Sequence, residues 1–270
     1  MRDTDGTYVT VNGLSLAYRR AGSGHPLVLL HGGFEDGRIW RRQLDFLSDE
    51  FATFAWDAPG AGGSDDPPPG FTSADYADAV AGFIEALGLD TAHLLGSSWG
   101  STLALATYER HPTIVRSLVL ASAYAGWAGS LPAAEVQRRR DQVIAQTTKA
   151  PHEVIVEWMP TILTASATAD LIGEVSEIMG GFHPAGMRAA VESMAEVDFR
   201  PMLSSIAIPT LLLYGSDDVR SPLDVAESMH AMIPGSQLVV IPDGPHLIQV
   251  ENAEPFNVAV REFLRGVDRS

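Results

Sequence analysis

The residues Gly96-Ser97-Ser98-Trp99-Gly100 lie between an apolar run at 92–95 and a helix-forming run at 101–110, so a serine sits on a sharp strand-to-helix turn. Glycines two before and two after Ser98 carry no Cβ, which lets strand and helix approach and frees the turn to adopt angles that branched residues resist. A serine hydroxyl is a weak nucleophile until a base removes its proton, so the position matters only with a histidine and an acid to orient it. Both occur downstream. An apolar run at 209–214 ends in Gly215-Ser216-Asp217-Asp218, two carboxylates on the turn past a buried strand. Residues 238–241 repeat the pattern and lead into Pro242-Asp243-Gly244-Pro245-His246. The chemistry these residues could do together is acyl transfer, with Ser98 attacking, His246 moving the proton and an aspartate steadying the imidazolium.

Such side chains meet only if the strands bearing them lie side by side. Residues 8–11 and 14–19 alternate around Asn12-Gly13, which predicts an antiparallel hairpin. Apolar runs at 26–30, 52–56, 92–95 and 117–121 predict buried parallel strands, with helices at 38–47 and 72–87 as crossovers. In an open sheet of this kind ligands bind beyond the carboxyl ends of the strands, where all three candidate residues fall. The strand-helix rhythm stops after Tyr124 and returns after Pro201. The expectation is an α/β core over 1–124 and 202–270 and a helical cap over 125–201. In the cap Pro132 would start one helix, a second at 154–163 would break near Pro160, and apolar stripes at Leu171, Val175, Met179 and at Met187, Val191, Met194 mark two more.

From residue 8 to residue 264 the chain resembles the α/β-hydrolase superfamily, whose nucleophile occupies a Gly-x-Ser-x-Gly turn and whose triad follows the chain order Ser, Asp, His. Gly215 and Asp218 match the family's Gly-x-x-Asp pattern, which makes Asp218 the acid and Asp217 a neighbour. Leu29-Leu30-His31-Gly32-Gly33 resembles the His-Gly loop after the third strand, and Trp56-Asp57-Ala58-Pro59-Gly60 the turn after the fourth. The resemblance implies a mostly parallel eight-stranded sheet with helices on both faces, an inserted helical cap, and an oxyanion hole formed by the backbone N–H groups of Gly33 and Trp99. The elbow is similar to that of proline iminopeptidases, but Phe34-Glu35 stands where those carry Pro-Gly, and Ala58-Pro59 where they carry Gln-Arg. The tail at 208–263 is similar to enol-lactonases, carboxylesterases and perhydrolases. The resemblance therefore implies a serine hydrolase acting on an ester or lactone of a small to medium, largely apolar substrate. A carbon-carbon bond hydrolase, an iminopeptidase-like amidase and a ligand-sensing receptor of the same fold are the alternatives.

Phe34, Trp127, Trp158 and Phe182 are candidates for substrate contact, with packing as the competing role. His31 is expected to shape its loop, His93 to sit satisfied in the core, Asp57 to cap a turn, and Arg138-Arg139-Arg140 to form a solvated helix face, with receipt of a substrate carboxylate as that run's alternative role. The 270 residues suffice for one large core, and the absence of cysteine excludes disulfides and thiolate chemistry. No metal or cofactor is expected. A net charge of −16, from 18 basic and 34 acidic residues, opposes binding to nucleic acid or anionic lipid. Met1-Arg2-Asp3-Thr4-Asp5 leads into no apolar stretch, so the reading is a cytoplasmic monomer or homodimer whose partner is a small-molecule substrate.

Overall fold

The computed structural model describes residues 6–269, so the Met1-Arg2-Asp3-Thr4-Asp5 segment read for a targeting signal lies outside them. Asn12 and Gly13 take φ of 51° and 85°, the two left-handed residues a tight hairpin turn needs, and join β1 (Thr7–Val11) to β2 (Leu14–Ala21) antiparallel. Then come β3 (His25–Leu30), α1 (Arg41–Leu47), β4 (Phe51–Trp56), α2 (Ser73–Ala86), β5 (Ala92–Ser97), α3 (Trp99–Arg110) and β6 (Val115–Ala121). After β6 the chain is helical: α4 (Trp127–Ser130), α5 (Ala133–Gln146), α6 (Pro151–Ile162), α7 (Ala169–Gly180), α8 (Pro184–Ala195) and α9 (Arg200–Leu203). The sheet resumes with β7 (Thr210–Gly215), α10 (Leu223–Met232) and β8 (Gln237–Ile241), and the described chain closes with α11 (Ile248–Glu251) and α12 (Ala253–Asp268).

The eight strands form one sheet in the order β1-β2-β4-β3-β5-β6-β7-β8, antiparallel over the first two pairings and parallel over the rest. Every residue of β5 and β7 is buried, as strands covered on both faces must be. Helix α3 is buried from Trp99 to Tyr108, wedged between β5, α2 and α8. A helix with no polar face holds its N-terminus rigidly, and that N-terminus follows Ser98.

One helical expectation needs correction. Helix α6 starts at Pro151 and runs through Pro160 instead of breaking there. Val156, whose carbonyl would have bonded the missing N–H of Pro160, is 71% exposed, so water can satisfy that carbonyl.

Candidate active site

Strand registers bring the candidate residues to one edge. Ser97 pairs with Ala121, Ala121 with Leu213, and Gly215 with Ile241, so β5, β6, β7 and β8 end at nearly one level. Ser98, Asp218 and His246 lie one, three and five residues beyond the last residues of β5, β7 and β8.

Ser98 adopts φ 52° and ψ −114°, left-handed backbone that costs a non-glycine residue on the order of 1–3 kcal/mol. Its surroundings enforce the strain. A Cβ on Gly96 would stand 2.3 Å from the Gly100 backbone, and one on Gly100 would stand 2.0 Å from the Leu30 carbonyl oxygen. Ser98 N–H donates to the Ala121 carbonyl at 2.9 Å, and the Ser101 hydroxyl bridges the carbonyls of Gly96 and Ala121. The Ser98 side chain is half-buried and lines a cavity beneath the helical insertion.

His246 lines the same cavity, and its Nδ1 lies 3.0 Å and 2.9 Å from the two oxygens of Asp218. Asp218 also accepts the backbone N–H groups of Arg220 and Ser221, both at 2.8 Å. Burial alone would raise its pKa, but the neighbouring imidazole and these hydrogen bonds reverse the effect and hold the carboxyl below its ordinary value. Asp217 is exposed and does not meet the histidine. The loops bearing acid and base are interlocked: Asp217 N–H donates to the Gly244 carbonyl, and Asp243 N–H to the Ser216 hydroxyl. Ser122, at φ 47° beyond β6, donates its hydroxyl to the His246 carbonyl and accepts the Ser221 hydroxyl on its own carbonyl. That brace was not read from the sequence, where Ser122 is one serine among many. Among the described residues no hydrogen bond joins Ser98 to His246. They share the cavity without the contact that bound substrate commonly tightens.

Gly33 and Trp99 line this cavity too, and their backbone N–H groups have no protein acceptor among the described residues. His31 holds their loop in shape, its Nδ1 2.8 Å from the Gly32 carbonyl and its Nε2 accepting Ala58 N–H at 3.0 Å. Asp57 is a turn anchor, accepting the N–H groups of Gly37 and Gly63 and the Arg19 guanidinium. His93 packs in the core against Ser117 and Asp268. Trp127 and Trp158 line the Ser98 cavity, whereas Phe34 and Phe182 line the neighbouring pocket behind Gly33. The Phe34 ring meets Trp158 and Phe182 edge-to-face, with centroids 4.8 Å and 5.1 Å away.

Glu35 and Arg220, which sequence reasoning did not single out, line the cavity, and Arg139 joins them. Glu35 is buried and accepts Gly32 N–H, and burial pushes its pKa up to about 8. Arg220, two residues past Asp218, stacks 3.7 Å over the Trp158 ring. Arg139 corrects the solvated-face reading: Arg138 and Arg140 keep 60% and 34% of their side-chain surface exposed, but Arg139 keeps 17% and lines the cavity. Its signal lay in helical spacing, because Arg139 and Val143 are i, i+4 neighbours on one face of α5 and both reach the cavity. Among the described residues no helix is long and apolar enough to cross a membrane.

Comparison with known proteins agrees with this architecture. A thermophilic esterase from Thermogutta terrifontis, described with malate bound, superposes with a TM-score of 0.90 at 31% identity, over 98% of this chain and 99% of that one. A Caulobacter sp. (strain K31) protein provisionally named carbamate hydrolase RutD is 29% identical over 272 residues, 97% of each chain. The serine hydrolase BPHL of Mus musculus is 29% identical over 270 residues, 95% of this chain and 85% of its own. Residues 25–156 and 184–253 match the alpha/beta hydrolase fold family, to which this chain belongs.

Proposed function

We propose that the protein is a serine hydrolase that opens a carboxylic ester or lactone through an acyl-enzyme. The observation that carries this reading is a serine on strained backbone sharing one cavity with a histidine whose far nitrogen is fixed by a buried carboxylate. Ser98 Oγ attacks the carbonyl carbon while His246 Nε2 takes its proton, and Nδ1–H keeps donating to the Asp218 carboxylate. His246 returns that proton to the leaving alkoxide. Water, deprotonated by the same nitrogen, then attacks the acyl carbon, and as the acyl–Oγ bond breaks His246 returns the proton to Ser98 and the acid is released.

The oxygen charge formed in each step meets the N–H groups of Gly33 and Trp99, each worth about 3 kcal/mol in sites of this kind. Gly33→Pro removes one donor and should cost roughly a hundredfold or more in kcat. The helical insertion acts as a cap whose Trp127, Trp158, Ile162, Met179 and Met194 give the substrate body an apolar enclosure. Esterase and serine hydrolase names among similar proteins favour the same chemistry.

The test is a fluorophosphonate probe with 4-nitrophenyl acetate and butyrate as substrates. The expected result is labelling of Ser98, steady product release, and loss of both in Ser98→Ala. Labelling elsewhere, or a trapped adduct with no second turnover, overturns the reading, and the second outcome would favour a receptor.

A further inference from the structure

Two guanidinium groups line the Ser98 cavity, and the proposed mechanism uses neither. Arg139 has partners: its Nε bonds Glu135 at 2.7 Å, and Nη1 reaches the Tyr124 hydroxyl at 3.0 Å and the Arg220 carbonyl at 3.4 Å. Arg220 differs. Among the described residues its side chain bonds only the Thr161 hydroxyl, at 3.3 Å, and no acid lies within ion-pair distance of it. The Trp158 ring covers one face of the guanidinium, which leaves the in-plane N–H donors of its edge for a planar acceptor. Burial and the like charge of Arg139 depress its pKa to about 10, so the group stays charged at neutral pH in a place that disfavours charge.

The same arginines also border a second, outer cleft. That cleft, with Arg138, Gln142 and Thr161 in its lining, shares Arg139, Val143, Trp158 and Arg220 with the buried cavity. This side of the Ser98 cavity is thus locally basic on a chain of net charge −16. The acids nearby have other partners: Asp218 has His246 and two backbone N–H groups, Glu135 has Arg138 and Arg139, and Glu35, in the same cavity, accepts Gly32 N–H.

We propose that Arg220, with Arg139 behind it, binds a carboxylate carried by the substrate, so that the ester or lactone opened at Ser98 is itself an organic-acid anion with an apolar body. This rests on the hydrolase reading above and narrows its substrate class. A guanidinium edge accepts a carboxylate through two parallel hydrogen bonds, stronger than neutral ones and demanding in geometry. The pair therefore selects among esters instead of accelerating all of them.

The test compares monomethyl glutarate with methyl pentanoate, esters of equal acyl length that differ in the terminal carboxylate. The wild-type protein should favour the glutarate in kcat/KM by about tenfold or more. Arg220→Gln should lower that ratio by a similar factor, mainly through KM, and Arg220→Lys should restore part of it. A wild-type preference for pentanoate, or an unchanged ratio in Arg220→Gln, overturns the proposal. If Arg220→Gln does not fold, Arg139→Gln and the wild-type protein decide: free glutarate should slow labelling of Ser98, and glutaramide should not. Equal protection by glutaramide or by inorganic phosphate overturns the carboxylate assignment. Absence of any Ser98 labelling or ester turnover counts against the hydrolase reading alone. Thermal stabilisation by glutarate, present in the wild type and lost in Arg220→Gln, then still reads the anion site, and its absence removes it.

Discussion

Asp218 and Glu35 are both almost wholly buried, yet burial leaves one a carboxylate and the other an acid. Asp218 receives a histidine and two backbone N–H groups, enough to outweigh desolvation, whereas Glu35 receives one N–H and lies near Asp36. Asp218→Asn should keep the fold and lower kcat by roughly 10³- to 10⁴-fold, while Asp217→Asn should be nearly silent. Steady-state kinetics on one ester settles the order, and the reverse order would reassign the acid. For Glu35, whose pKa rises from 4.5 to about 8, the native protein keeps a proton the unfolded chain has released between those values. Stability contributed by this group is therefore complete below pH 4.5 and is lost as pH rises toward 8. Glu35→Gln removes that dependence. Its stability relative to wild type should climb across the window and level off above it in urea melts at several pH values, and a constant gap would mean that Glu35 is ionised throughout.

At the scale of elements, the elbow is a packing problem solved by glycine. Helix α3 approaches β3 so closely at Gly100 that a methyl group would meet the Leu30 carbonyl, and β7 approaches the His246 loop so closely at Gly215 that one would meet the Gly244 carbonyl, each at 2.0 Å. Neither contact can yield by side-chain rotation, because both partners are backbone. Gly100→Ala should cost about 3 kcal/mol or more. The control is Gly173, exposed in α7 with nothing near its missing Cβ, where alanine should add roughly 0.5–1 kcal/mol. Urea midpoints of the two variants should move in opposite directions.

Across the whole molecule, two kinds of contact fasten the helical insertion to the sheet. Phe34 makes edge-to-face contacts with Trp158 and Phe182, and the Trp99 indole donates to Ser193 of α8, so the loop and turn flanking Ser98 touch the insertion directly. Arg41 and Arg42 of α1 reach Glu174 of α7 at 3.1 Å and 2.8 Å near the surface. Burial should dominate. Phe34→Ala is expected to lose about 3–5 kcal/mol, whereas Glu174→Gln should lose less than about 1 kcal/mol, and less still in high salt. Chemical denaturation at two ionic strengths measures both, and a larger loss for Glu174→Gln would mean that charge pairing holds the insertion.

The sequence by itself determined the strands, their hairpin, the elbow glycines, and the turns that carry Ser98, the Asp217-Asp218 pair and His246. Each of these is written locally, as a run of apolar residues, a turn dipeptide or a glycine spacing, and strand ends in a parallel sheet gather side chains at one edge whatever the loops contain. The tertiary structure decided that Asp218 and not Asp217 turns toward the histidine, that Ser122 braces both loops, and that Phe34 and Phe182 pack behind Gly33. It also placed Arg139, Arg220 and Glu35 in the cavity. Those outcomes depend on which surface of a helix or loop meets a segment far along the chain. A charged residue looks the same in sequence whether its side chain ends in water or in a pocket, because burial is a property of neighbours and not of the residue.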